Sequence, residues 1–384
     1  MQGRALAAHG PMCECAFPLP PPLRRWGQHR FAQPVRGLAL GLLAALAIGA
    51  CSDSPTRPAQ LQPAALELTI QSFARLDAGA DGTYEAWVVD ADDVVRSAGR
   101  FSVAGGAEEI VTLESPIGDP AHVMITIEPP GDTDPAPSLR RLAGGRVAGG
   151  RAVLEYNGYL TPGVPLEDVP GTHVLFTPSN NGEMGYPSTE DAGIWIFNID
   201  GDSADGSFFI TLTPLTEGWT YEGWVVRDWG QPNAVWLSYG KFRPDARRKV
   251  NSRDNSGLGP YSGQIDYRFA MTQEIYMPGD DWVSNPHGYP LPADVTLPLD
   301  LNGCIPTVSD CSQPGQKAGL SRWTHVITIE PREDENESPW MARPSPIRPY
   351  RNAIGEANWF TARTIGFFPD VLPRASARIL RDQN

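Results

Sequence analysis

The sequence lacks any run of about 20 apolar residues, the length a bilayer-spanning helix needs. Beyond the N-terminus, no stretch has the period of an amphipathic helix of three or more turns. Cysteine is scarce: Cys13, Cys15, Cys51, Cys304 and Cys311 are the full set. HExxH, GxSxG, phosphate-loop and GxGxxG patterns are missing, so no metalloprotease, serine hydrolase or nucleotide enzyme is indicated, and no cofactor is expected. Basic residues are outnumbered, 31 against 45 acidic, for a net charge of −14. The first fifty residues carry +4, leaving −18 for the rest. So acidic a surface repels nucleic acid, which is set aside as a partner.

Glycine (39) and proline (38) are abundant instead. They interrupt helices and favour short strands joined by turns. With 41% hydrophobic residues there is ample material for a folded core.

Residues 38–48 (LALGLLAALAI) form an eleven-residue apolar run behind Arg36, too short to span a membrane. Ile48-Gly49-Ala50-Cys51 follows, with small residues where a signal peptidase cuts. A cysteine just after the cut resembles the bacterial lipobox, whose thiol is lipidated. Residues 1–50 are therefore expected to be a signal peptide. Residues 1–34 read as lying upstream of the true start, with Val35 a plausible start codon. Residues 51–64 are expected to be a lipid-anchored linker, and Cys51 the lipidated residue and membrane attachment.

A duplicated pattern dominates the remainder. TYEAWVV at 83–89 recurs as TYEGWVV at 220–226, GRF at 99–101 as GKF at 240–242, and HVMITIEP at 122–129 as HVITIEP at 325–331. The three blocks keep their order. Each alternates in the manner of a half-buried strand. LELTIQSF (66–73) and SFFITLTPL (207–215) read as equivalent strands ahead of the first block of each copy, and HVLFTP (173–178) and GIWIFNI (193–199) as further strands expected to open the second unit. The expected fold is all-β: two tandem antiparallel β-sandwich domains, at 65–160 and 170–384. The second carries an insertion at about 244–323, and residues 359–368 are expected to close it.

Cys304 and Cys311 flank six residues and read as a disulfide, since a metal site needs more ligands than this segment offers. Asp200, Asp202 and Asp205 alternate like calcium ligands, but Ala204 stands where another ligand belongs. An Asp/Gly hairpin turn is the competing reading. His122 and His325 fall at matching block positions, which suits packing better than catalysis. Glu128 and Glu330 precede prolines at matching ends and are expected to cap turns or face solvent. Trp282, His287 and Tyr289, in the insertion, are candidate surface residues for a ligand.

The order of Tyr84, Trp87, Gly99, Phe101 and Thr126-Ile127-Glu128-Pro129, repeated at Tyr221, Trp224, Gly240, Phe242 and Thr328-Ile329-Glu330-Pro331, resembles the extracytoplasmic C-terminal domain of anti-sigma-K factors. The resemblance implies a β-sandwich outside the cytoplasm. Such factors also have a cytoplasmic helical domain and a transmembrane helix, which this sequence does not match, so direct sigma-factor binding is not expected. The expectation is a non-enzymatic envelope lipoprotein, at the outer membrane or facing the periplasm. It would bind or sense an unknown protein or glycan. A purely structural assembly role and a hydrolase with an unrecognised site are the alternatives.

Overall fold

The computed structural model describes residues 64–115, 118–175, 177, 190–199, 208–244, 250–251, 278–283, 285, 288–303, 322–332, 343–354 and 362–381. Among them there is no α-helix, and every paired strand is antiparallel. No helix is long and apolar enough to cross a membrane among these residues. Residues Pro58–Asn384 form one compact unit, so both copies of the repeat belong to a single body.

In the first copy β1 (Ala64–Gln71) alternates buried and half-buried residues, as its sequence does. Leu66, Leu68 and Ile70 are fully buried, and each contributes about 1.5–3 kcal/mol by leaving water. β2 (Thr83–Val89), β3 (Val95–Phe101), β5 (His122–Glu128) and β6 (Arg141–Arg146) make one sheet in the order β3-β2-β5-β6. Opposite lie β4 (Glu108–Ser115), paired with β1, and β7 (Arg151–Leu154).

The second copy repeats the first sheet. β8 (Thr172–Leu175), β9 (Gly193–Ile199) and β10 (Phe208–Phe209) precede β11 (Trp219–Arg227), β12 (Val235–Pro244), β13 (Val250–Asn251), β14 (Gly279–Asp281), β15 (Trp323–Pro331), β16 (Tyr350–Ala353), β17 (Arg363–Thr364) and β18 (Gly366–Phe367). One sheet runs β13-β12-β11-β15-β16-β18; the other runs β10-β9-β8-β17, with β14 on β9. The β12-β11-β15-β16 order reproduces β3-β2-β5-β6. Both copies have a bulge at the same place, between Ala86 and Trp87 and between Gly223 and Trp224. Gly99 and Gly240 stand opposite with φ of 133° and 104°, a conformation L side chains rarely adopt, which is why the GxF block needs glycine.

Three expectations are corrected. SFFITLTPL forms a ladder only at Phe208–Phe209. Beyond it, the hydroxyls of Thr211 and Thr213 donate to the carbonyls of Val169 and Pro165, so side chains tie the segment down in place of a ladder. One strand crosses between the copies: β19 (Arg374–Arg381) pairs with β7 and lies beside β1, completing the first sandwich. Trp282 is not a surface platform. β14 adds to β9 beside it, Trp282 N–H donates to Ala192 O, and the indole is fully buried with Leu299 and Leu301. Finally, His122 and His325 are not equivalent. Val88 pairs Val123 while Val225 pairs His325, so the histidines differ by one residue of register and face opposite sides.

Candidate functional site

Each copy carries one polar network on the outer face of its repeated sheet. Trp87 Nε1–H donates to Thr126 Oγ1 at 2.8 Å, and Trp224 Nε1–H donates to Thr328 Oγ1 at 3.0 Å. The threonine hydroxyls donate in turn to the carboxylates of Glu128 and Glu330. Backbone N–H of Ser138 and of Ser345 closes each network on the same carboxylates. Ser97 and Ser238 hydroxyls donate to the neighbouring Glu85 and Glu222. Glu128 and Glu330 thus cap turns, but they are buried rather than solvated. Desolvation raises both above the ordinary carboxylate range, Glu330 to about 7. The serines belong to a fourth repeated block, Pro137-Ser138 and Pro344-Ser345, which the three longer blocks overshadowed. The signal was present: a Pro-Ser dipeptide follows each Glu-Pro end, with Ser138 10 residues after Glu128 and Ser345 15 after Glu330.

The two copies then diverge. The first has Ala86, Ala98 and Val123 in its core; the second has Gly223, Tyr239 and His325 at those positions. Tyr239 Oη lies 2.8 Å from His325 Nε2, and His325 Nδ1 lies 3.2 Å from His173 Nδ1, bridging the two sheets. Burial keeps both imidazoles neutral, His173 with its pKa pushed down to about 3, and pushes the Tyr239 hydroxyl up. Among the described residues His173 Nε2 has no hydrogen-bond partner.

A cavity of about 300 Å³ opens where the copies meet. Phe73, Tyr84 and Leu142 line it from the first copy, Trp219 and Ile347 from the second. The shared tyrosine of the repeat shapes this wall: Tyr84 Oη donates to Ala74 O at 2.9 Å, and the ring stacks on Phe101. Trp219 Nε1–H donates across the junction to Arg141 O at 2.9 Å. Arg140 and Glu330 are the buried charged residues of the lining. At the more exposed rim Arg343 pairs with Asp81 at 3.0 Å, again joining the copies. The lining combines apolar and aromatic walls with several polar and charged groups, a make-up that suits a small molecule with a polar end.

The candidates read from sequence do not converge here. Tyr289 is half-buried against the core, with its backbone held by Asn285. Cys51, the Cys304 and Cys311 pair, Asp200, Asp202, Asp205 and His287 lie outside the described residues. Among the described residues no cluster of three or more His, Cys, Asp or Glu could hold a metal ion. Of the copy-two aromatics, Trp219 and Tyr239 are in the main core, and Trp224 is buried in a small separate cluster with Val226 and Val326. Trp229 and Trp236 are half-buried with Arg348 and Arg351 guanidinium groups against them, 4.6 Å in the case of Arg348 on Trp236.

A model of the family described as "Anti-sigma-K factor rskA, C-terminal" matches residues 39–140. The match covers β1 to β5 and ends at Arg140, on the cavity wall. The first copy is therefore similar to that domain, and the strand order and bulge of the second copy repeat the first within this chain. No curated protein and no solved structure matches the chain.

Proposed function

We propose that this chain is a non-enzymatic cell-envelope lipoprotein, acylated on Cys51, whose paired anti-sigma-K-like copies bind a small ligand in the cavity between them. The observation that carries the reading is the cavity itself, walled by both copies. It favours binding over a purely structural assembly role. The described histidines contact tyrosine or each other rather than an aspartate, which favours binding over hydrolysis. The apolar run, small residues and cysteine at 38–51 support export and lipid anchoring.

Two measurements test this. Intact mass spectrometry of membrane-extracted protein should find an N-terminus at Cys51 carrying acyl chains; an unmodified N-terminus overturns the anchor. A thermal-shift screen against fractionated envelope small molecules should raise Tm for the wild type. It should not do so for Ala80→Trp, which fills the cavity edge. Equal shifts in both overturn the cavity as the binding site.

A further inference from the structure

We propose that the inter-copy cavity takes a small primary amine with an apolar body, its ammonium group seated on the Glu330 carboxylate. This rests on the cavity being the binding site.

The argument starts from a difference between the copies. Ser138 N–H reaches both oxygens of Glu128, at 3.2 and 3.1 Å. Glu330 receives Ser345 N–H at 2.8 Å and the Thr328 hydroxyl, both on Oε1. Among the described residues it has no other hydrogen-bond partner. One carboxylate of the duplicated pair is thus closed upon itself, and the other retains an open oxygen. Glu330 is the one that lines the cavity, while Glu128 does not.

A carboxylate buried at an apolar wall is costly unless a donor or cation meets it. The charged groups around Glu330 fall short of that. Lys241 on β12 and Arg348 after β15 lower its pKa, yet it stays raised to about 7. Arg343 is spent on Asp81 at the rim. Arg140, across the cavity, has a partner of its own, which argues against a free guanidinium waiting for an anionic ligand. Glu222, one strand over, is acidic and bonded by Ser238. An ammonium is compact and carries three donors, so it suits a single open carboxylate oxygen. Tyr84 and Trp219 supply aromatic wall for the apolar part.

The test compares three probes with one skeleton: phenethylamine, phenylacetate and 2-phenylethanol, by calorimetry on the whole chain. Phenethylamine should bind saturably and about tenfold more weakly at pH 6 than at pH 8, because the carboxyl is neutral below its pKa. Glu330→Gln should weaken it at least about tenfold, and Glu128→Gln should leave it unchanged. Phenylacetate or 2-phenylethanol binding as tightly as the amine overturns the amine assignment while leaving the cavity reading intact. No binding of any probe also overturns the assignment, and the extract screen then decides the cavity separately. Should Glu330→Gln misfold, the ¹³C carboxyl titration of Glu330 decides: the amine must move its midpoint downward, and an unmoved midpoint overturns the proposal.

Discussion

A Cβ on Gly223 would stand 1.6 Å from Cζ of Tyr239. The first copy meets the same place with Ala86 and Ala98, so volume was exchanged between facing strands. The freed space brings a tyrosine hydroxyl to His325 inside a core.

Gly223→Ala must displace that ring and should cost about 2–3 kcal/mol by overpacking. The triple change Gly223→Ala, Tyr239→Ala, His325→Val copies the first sandwich and should recover most of the loss. Urea unfolding of single and triple variants gives the coupling. Additive losses would mean that the three positions do not act as a unit.

Neutral His173 and His325 set an acid limit. Unfolded, each binds a proton near pH 6.5; folded, His173 resists until about pH 3. The unfolded state therefore holds more protons in that window, and stability falls as pH drops through it, by about 1.4 kcal/mol per pH unit for each histidine. The His325→Val variant should show a shallower decline in urea midpoint between pH 6.5 and 5.

Glu330 acts with the opposite sign. Its folded pKa of about 7 exceeds the unfolded value of 4.5, so its protonated form stabilises the fold below pH 4.5. That contribution is lost as pH rises through 7, up to about 3 kcal/mol in all. Glu330→Gln should flatten the pH dependence of stability between 5 and 8 without ligand. A curve parallel to wild type would contradict the raised pKa.

Removing the hydroxyl from Thr126 leaves the Trp87 indole N–H and the Glu128 carboxylate each short of a partner. Thr126→Val should cost about 2–3 kcal/mol, and Thr328→Val about the same, because the networks are copies. Chemical denaturation reads both. A loss below about 0.5 kcal/mol would mean that solvent replaces the hydroxyl.

The duplicated strands were legible because Tyr84, Trp87, Gly99 and Phe101 each have a strong local reason for being there: a backbone bond, an indole bond, a bulge and a stacked ring. The cavity was not legible. Its walls come from residues far apart in sequence, such as Tyr84 and Ile347, and no local pattern marks a surface two copies share. The histidines misled because HVMITIEP and HVITIEP differ by one residue, and one residue in a strand reverses the face. Trp282 misled because an inserted segment was expected to lie outside the core, whereas β14 becomes part of its wall.

Strand β19 has a consequence for synthesis. The first sandwich cannot finish its second wall until the chain beyond the entire second copy has been delivered, because β7 and β1 wait for residues 374–381. During synthesis the first copy holds an unpaired flank, and its closure joins strands more than 200 residues apart. The two halves therefore mature together. A chain stopped short of β19 leaves the first copy open at β7, a bare edge for proteolysis or wrong pairing.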